Sequence, residues 1–167
     1  VQEMLKLTDW GTVTNVAELG AGTGVVTEAL LRKISPNAGL SVFELDRKLR
    51  EKIENRLKIA VFPDACDLAQ VIRPGSLDVV ISSLPWTTLP KEVSGKILQG
   101  VIACLKPNGQ FIAYQYSRQM HRLFCHLFES VRISFVLRNI PPAFVYNCHT
   151  PQNRAKEKAA LFFRAQD

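Results

Sequence analysis

TNVAELGAGTG, residues 14–24, joins an apolar strand to a turn that carries a glycine at every second position. A helical pattern follows directly in Val25–Ile34, where apolar residues recur on one face. Glycine lets the backbone approach a ligand without interference from a Cβ atom, and open α/β sheets bind ligands at the carboxyl ends of their strands. The stretch therefore predicts a strand, a turn and a helix, with a ligand over Gly20, Gly22 and Gly24.

A carboxylate at the end of the second apolar run, Leu40–Glu44, adds to this prediction. An acidic side chain at that place can accept hydrogen bonds from both hydroxyls of a ribose. The glycines follow the spacing GxGxG, whereas the dinucleotide fingerprint GxGxxG has its third glycine one position later. Val25 occupies that position here. The two features together favour a nucleoside pocket that does not take a dinucleotide.

The rest of the chain alternates strand and helix patterns, and the strands read as nearly continuous apolar runs because both faces of the sheet are covered. A five-residue link with paired prolines joins the last two strands and favours a hairpin. Residues 152–167 fit either a basic helix or a strand at Ala160–Phe163. The predicted strands are Val13–Leu19, Leu40–Glu44, Ile59–Phe62, Leu77–Ser83, Gln110–Tyr116, Val131–Leu137 and Ala143–Cys148, and the later helices are one with Leu49, Ile53 and Leu57, then Val93–Leu105 and Arg118–Glu129.

Three motifs in order, residues 18–24, Phe43–Asp46 and Asp64-Ala65, resemble those of class I S-adenosylmethionine-dependent methyltransferases, and the resemblance spans nearly the whole chain. It implies one S-adenosylmethionine-binding domain over residues 1–167. Its fold would be α/β, a seven-stranded, mostly parallel, Rossmann-like sheet with a C-terminal antiparallel hairpin and helices on both faces. Lys106–Gly109 resembles the usual turn of that family before its next strand.

The same resemblance implies a cofactor site for S-adenosylmethionine. It would place Glu44 on the ribose, Leu45 against the adenine and Asp64 on the adenine amino group. The other residues that it implies around the cofactor are Glu18, Gly20, Ala21, Gly22, Gly24, Ala65 and Ser82.

The segment Ser82-Ser83-Leu84-Pro85-Trp86 resembles the tetrapeptide that amino-directed methyltransferases carry after the fourth strand, although Ser83 replaces its Asn or Asp. Methyl transfer from a sulfonium depends mainly on positioning and desolvation of a nitrogen lone pair. In base-modifying relatives, the Asn or Asp and the following carbonyl accept both amino hydrogens while the aromatic ring stacks on the base. The catalytic candidates are Ser83, Leu84, Pro85, Trp86 and Tyr116.

A second resemblance concerns the acceptor. Ser82–Pro85, Leu89-Pro90 and Arg138–Tyr146 look like bacterial phospholipid N-methyltransferases, which methylate phosphatidylethanolamine stepwise. Aromatic rings at Trp86, Tyr116 and Tyr146 could hold a methylated ammonium by cation–π attraction, and arginines could pair with a phosphate. The candidates for substrate binding are Arg118, Arg138, Asn139 and Tyr146.

Charge supports an anionic partner. Residues 1–90 contain 10 Lys/Arg and 11 Asp/Glu and so carry a charge of −1. Residues 91–167 contain 11 Lys/Arg and 4 Asp/Glu and so carry +7, which gives the chain its net charge of +6. We expect a phospholipid or an anionic membrane surface, with nucleic acid as a less favoured partner. The cysteines and histidines lack the spacing of a metal site, and no metal is expected. A cytoplasmic enzyme, peripheral on the inner face of the membrane, fits this picture.

Two other functions remain open from the residues alone. An RNA adenine N6-dimethyltransferase would use the same tetrapeptide, but Ser83 is a weaker fit to a nucleobase than Asn or Asp. A non-catalytic methyltransferase-like binding module would not need intact glycines and Glu44. Phospholipid methyltransferases also carry an amphipathic amino-terminal segment that docks on the membrane, and only 12 residues precede the first predicted strand here.

Overall fold

The computed structural model describes residues 1–137, 141–151 and 155. Within them, seven strands form one sheet in the order β3-β2-β1-β4-β5-β7-β6. The first five strands are parallel, and β7 runs antiparallel to both β5 and β6. The predicted mostly parallel α/β sheet with a terminal antiparallel pair is therefore confirmed. The strands are β1 (Asn15–Leu19), β2 (Gly39–Phe43), β3 (Val61–Phe62), β4 (Leu77–Ser82), β5 (Leu105–Gln115), β6 (Phe128–Val136) and β7 (Ala143–Pro151).

Helices cover both faces of the sheet. One face packs against the first three helices through residues such as Met4, Leu30 and Ile53, and the other against the last three through residues such as Leu98 and Phe124. None of the helices in the described part of the chain is long and apolar enough to cross a membrane. The helices are α1 (Gln2–Leu5), α2 (Val25–Leu31), α3 (Arg47–Leu57), α4 (Leu68–Val71), α5 (Lys91–Cys104) and α6 (His121–Leu127), with a 3₁₀ turn at Ala65–Asp67.

The structure corrects several predicted boundaries. Helix α2 ends at Leu31, and the predicted helix Arg118–Glu129 shortens to α6 because β6 already begins at Phe128. The expected turn Lys106–Gly109 lies inside β5, where the pairing with β4 skips from Leu105 to Gln110. Helices α1 and α4 do not follow from the sequence pattern, because four residues are too few to show a helical period.

The strand order places the candidate site. The order reverses between β1 and β4, and such a switch point opens a crevice at the carboxyl ends of the strands. Leu19 of β1 pairs with Phe43 of β2 and with Ser82 of β4. The residues that follow these three, Gly20, Glu44 and Ser83, therefore emerge side by side at one edge of the sheet.

Asp78 ties three strands together at the opposite edge. Its carboxylate accepts hydrogen bonds from the backbone N–H groups of Thr14 (2.9 Å) and Asn15 (3.0 Å), and from the Thr14 hydroxyl (2.7 Å). Lys106 of β5 forms a salt bridge with the same carboxylate. Burial alone would raise the pKa of Asp78, but the hydrogen bonds from Lys106, Thr14 and Asn15 outweigh it and lower the pKa to about 2.

We expect Asp78→Asn to lower the free energy of unfolding by about 1–3 kcal/mol at pH 7, because the variant loses charge-assisted hydrogen bonds. This contribution is fully present above the ordinary pKa of 3.8 and is lost as the pH falls through about 2. Urea unfolding at several pH values measures it, with the exposed Glu129→Gln as control. A constant difference between pH 7 and pH 2 would contradict the assignment.

Candidate functional site

The glycine turn after β1 adopts a conformation that requires its three glycines. Gly20, Gly22 and Gly24 have φ angles of +78°, +57° and +81°, which residues with a side chain rarely adopt. A Cβ atom at Gly20 would lie 2.8 Å from Cδ2 of Leu84, whereas one at Gly22 would meet no atom within 4 Å. Gly20 thus allows the close approach of the loop after β4, and Gly22 borders open space.

Glu44 fixes this turn from the neighbouring strand. Its Oε2 accepts a hydrogen bond from the N–H of Gly22 (2.7 Å) and its Oε1 accepts one from the N–H of Asp46 (2.9 Å). Each carboxylate oxygen keeps a further lone pair for another donor. The carboxylate therefore lies at the rim of the glycine turn, where a ribose with two hydroxyls could bind.

The residues expected around an adenine follow the ends of β2 and β3. Leu45 is 76% exposed, which leaves an apolar surface for a planar ring. Arg50 donates hydrogen bonds to the carbonyls of Glu44 (3.0 Å) and Leu45 (2.8 Å) and so fixes the backbone there. Asp64 caps the 3₁₀ turn by accepting a hydrogen bond from the N–H of Cys66 (2.8 Å) through Oδ1, and Ala65 is buried beside it.

Glu18 is a buried carboxylate without a hydrogen bond. It is 0% exposed, and among the described residues neither of its oxygens has a hydrogen-bond partner. Burial raises its pKa to about 7, with a smaller contribution from the charge of Glu44. Thr27 of α2 lies close enough to lower that pKa in part, yet not in hydrogen-bonding geometry. A buried acceptor in this state suits a cationic or hydrogen-donating group of a ligand.

Hydrogen bonds from neighbouring side chains hold the loop after β4 in place. The hydroxyl of the buried Ser82 accepts hydrogen bonds from the N–H of Leu84 (3.3 Å) and from Nε1 of Trp86 (3.1 Å). The carbonyl of Leu84 accepts hydrogen bonds from the N–H of Trp86 (2.9 Å) and from Nε2 of Gln115 (2.7 Å). Both lone pairs of that carbonyl are therefore occupied.

Gln115 is a site residue that the sequence reasoning missed. It is buried at the carboxyl end of β5, and its side chain reaches across to the loop after β4. The signal in the sequence is a polar residue at the end of an apolar strand, which by itself does not identify the carbonyl that it contacts.

The three candidate aromatic rings lie in different surroundings. Trp86 is only 3% exposed and packs edge-on against Phe111. Tyr146 is fully buried, and its hydroxyl donates a hydrogen bond to the carbonyl of Ser117 (3.3 Å). Tyr116 is 61% exposed. Of these three rings only that of Tyr116 is exposed in this structure, whereas the Trp86 and Tyr146 rings, which were also expected to hold a methylated ammonium, pack in the core.

A cavity of about 600 Å³ lies between the loop after β4, the end of β5, α1 and α2. We call it the acceptor cavity. It includes Ser83 and Pro85, and among the described residues no charged side chain lines it. Arg118 is exposed beyond its lining residue Ser117, whereas Arg138 and Asn139 lie outside the described residues. Its lining residues include Ser83, Leu84, Pro85, Tyr114, Gln115 and Tyr116.

Comparison with known proteins identifies related sequences. Residues 16–109 match the family model of a methyltransferase domain. An ornithine lipid N-methyltransferase of Singulisphaera acidiphila is 34% identical over 152 residues, which cover 83% of this chain and 77% of that protein.

Solved structures share the fold at lower identity. TrmN from Thermus thermophilus matches with a TM-score of 0.71 and 17% identity, over 89% of this chain and 47% of that chain. A 16S rRNA N2 G1207 methyltransferase from the same genus, solved with S-adenosylmethionine and guanosine, matches with a TM-score of 0.67 and 14% identity, over 92% of this chain and 39% of that chain. This chain therefore spans half or less of the length of these two structures.

We expect the raised pKa of Glu18 to appear as a pH dependence of stability. The protonated form is favoured only in the folded protein, so the stability is full below the ordinary pKa of 4.5 and is lost as the pH rises through about 7. The loss should be on the order of 3 kcal/mol, and Glu18→Gln should remove it. Unfolding without added cofactor, with the surface variant Glu92→Gln as control, measures the effect. Parallel profiles of wild type and Glu18→Gln would refute it.

Proposed function

Because this chain belongs to the S-adenosylmethionine-dependent methyltransferases, we propose that it transfers methyl groups to the primary amine of a membrane-lipid head group. The matched methyltransferase domain and the relative at 34% identity support the family and its cofactor. That relative is named for ornithine lipid, whereas the sequence motifs resemble enzymes of phosphatidylethanolamine. The two lipids share a primary amine at the end of a short chain, so the amine is the common chemistry that we propose for the acceptor.

The residues present fit the cofactor. Three backbone positions with positive φ, the open space at Gly22 and the Glu44 carboxylate beside it suit a ribose. The buried carboxylate of Glu18, directly before the glycine turn, would stabilise the cationic amino group of the methionine part through its charge. Exposed Leu45 would pack on the adenine, and Asp64 would accept from its amino group through the oxygen that does not cap the 3₁₀ turn. When bound, S-adenosylmethionine supplies an electrophilic methyl group on a positively charged sulfur.

The acceptor cavity would prepare the amine for attack. An amine must lose a proton before its lone pair can react, and a cavity without charged side chains lowers the pKa of an ammonium by desolvation. The hydroxyl of Ser83, which lines the cavity, could accept a hydrogen bond from the amine and orient its lone pair. The released proton would pass to water at the open side of the cavity. After methylation, the ring of Tyr116 would stabilise the cation.

The Leu84 carbonyl favours an alkylamine over a nucleobase. A nucleobase acceptor would need this carbonyl for one amino hydrogen and an accessible aromatic ring for stacking. The N–H of Trp86 and the side chain of Gln115 already occupy the carbonyl, and the Trp86 ring is buried. An alkylamine needs neither contact, because Ser83 and Tyr116 offer an acceptor and a ring. This is the observation that carries the choice between the two acceptors.

We expect Gly22→Ala to weaken S-adenosylmethionine binding at least tenfold, because the added Cβ projects into the space proposed for the ribose. Gly75→Ala is a matched control, since Gly75 also has a positive φ (+64°) and a Cβ atom added there would meet no atom within 4 Å. Both variants should lose a similar stability, about 1 kcal/mol, from backbone strain. Calorimetric titration with the cofactor separates the two effects. Equal affinities of both variants for S-adenosylmethionine would reject this site. A wild type that does not bind the cofactor would favour a non-catalytic methyltransferase-like binding module.

We expect the protein to transfer label from S-adenosylmethionine to liposomes that contain phosphatidylethanolamine or ornithine lipid. Tyr116→Leu should lower kcat/KM for the already monomethylated lipid about fivefold, because it removes a cation–π contact at a ring that is 61% exposed. Tyr116→Phe keeps the ring and should stay within about twofold of the wild type. Label that appears in RNA but in neither lipid would overturn the proposed acceptor in favour of the nucleobase.

A further inference from the structure

A second cavity lies on the other side of α1 from the acceptor cavity. It measures about 500 Å³ and lies between α1, the face of the sheet at β5 and β7, and the end of β6. We call it the acyl groove, and define it by Met4, Tyr114, Val136, Leu137 and Val145 together with Val1. We propose that this groove binds an acyl chain of the lipid whose amine enters the acceptor cavity. The inference rests on the proposed function and adds the part of the substrate that is not methylated.

The two cavities adjoin each other. Val1, Met4 and Tyr114 line both of them, so α1 and the Tyr114 side chain form a shared wall. Tyr114 also contacts Tyr116 edge-on, with ring centroids 5.4 Å apart. A ligand whose amine lies near Ser83 and Tyr116 therefore has the groove as the neighbouring apolar surface. A lipid joins an amine to apolar chains in one molecule and would use both cavities together.

The chemistry of the groove fits a hydrocarbon. Seven of its nine lining residues are apolar or aromatic. Glu3, one of the two others, forms a salt bridge with Lys6, so its charge is balanced. Leu137 is 74% exposed, and Val136 is only partly buried against the core. An acyl chain would remove these apolar surfaces from water, which an exposed apolar patch of this kind favours.

The position of the groove argues against a second copy of this chain as its occupant. Among the described strands β6 is the outermost, so its edge is what another strand would pair with. The groove instead lies over the face of the sheet, where Val145 of β7 and Val136 of β6 pack with Met4 of α1. This face offers side chains and no free row of backbone donors. A flexible apolar chain suits it better than a strand does.

The first experiment measures binding without catalysis. Dihexanoyl phosphatidylcholine, below its critical micelle concentration, carries acyl chains but an amine that is already fully methylated. Titrated into the full chain with S-adenosylmethionine present, it should bind the wild type. Leu137→Asp should weaken binding at least tenfold, and Val136→Thr, which keeps the shape of the side chain but replaces a methyl group by a hydroxyl, at least fourfold.

Val71→Asp is the matched control, because Val71 is an exposed apolar residue (39%) on α4, away from the groove. It should bind the phosphatidylcholine like the wild type. Leu137→Asp should keep the melting temperature and cofactor affinity of the wild type, which excludes a folding defect. Equal binding by all four proteins, or none by the wild type, would overturn the groove as an acyl site.

The second experiment separates the groove from the proposed function. For the wild type, kcat/KM should be at least tenfold higher for dihexanoyl phosphatidylethanolamine than for glycerophosphoethanolamine, which has the same head group without chains. Leu137→Asp should abolish this preference and leave the value for glycerophosphoethanolamine unchanged. Methylation of both compounds with equal efficiency by the wild type would reject the groove and keep the function.

The remaining outcomes are also decisive. Binding of the phosphatidylcholine that Leu137→Asp weakens, without methylation of either amine, would support the groove and reject the amine acceptor. A wild-type dimer in sedimentation that Leu137→Asp converts to a monomer would overturn the acyl proposal, because a second copy would then occupy the groove.

Discussion

The hydrogen bond from the N–H of Gly22 to the Glu44 carboxylate is the contact on which the carboxyl edge of the sheet depends. It joins the turn after β1 to the end of β2, and the backbone bonds from Gly20 and Ala21 to the carbonyl of Phe43 continue the connection. The left-handed glycines let the turn close without a side chain in the crevice. The carboxylate is thus held by the backbone and still offers lone pairs to a ligand.

A second set of contacts gives the acceptor side its character. The loop after β4 is held by hydrogen bonds to the side chains of Ser82 and Gln115, and the Trp86 side chain also bonds to Ser82. The loop therefore exposes Ser83 and apolar surface to the cavity, whereas the Leu84 carbonyl is already occupied. Because the Trp86 ring and the Leu84 carbonyl are used for internal packing, few groups of this loop remain to recognise a planar nucleobase. The loop suits a small amine, whose recognition needs desolvation and one acceptor.

The distribution of charge is consistent with a lipid. The walls of the acceptor cavity carry no charged side chain among the described residues, while Arg118, which follows the lining residue Ser117, is exposed. Neutral walls favour the uncharged amine, and basic residues outside attract an anionic surface. The acyl groove on the other side of α1 would bind the acyl chains of the same lipid.

The sequence alone determined the order of the seven strands and of four of the six described helices, the glycine turn and the position of Glu44, because these depend on local period, positive φ and position along the chain. Only the tertiary structure decided which aromatic ring is accessible. Trp86 and Tyr146 look like Tyr116 in the sequence, yet their rings pack on Phe111 and Phe124. It also decided that Gln115 and Trp86 occupy the Leu84 carbonyl, and that α1 separates two cavities. Such contacts join residues distant in the chain, and no local pattern encodes them.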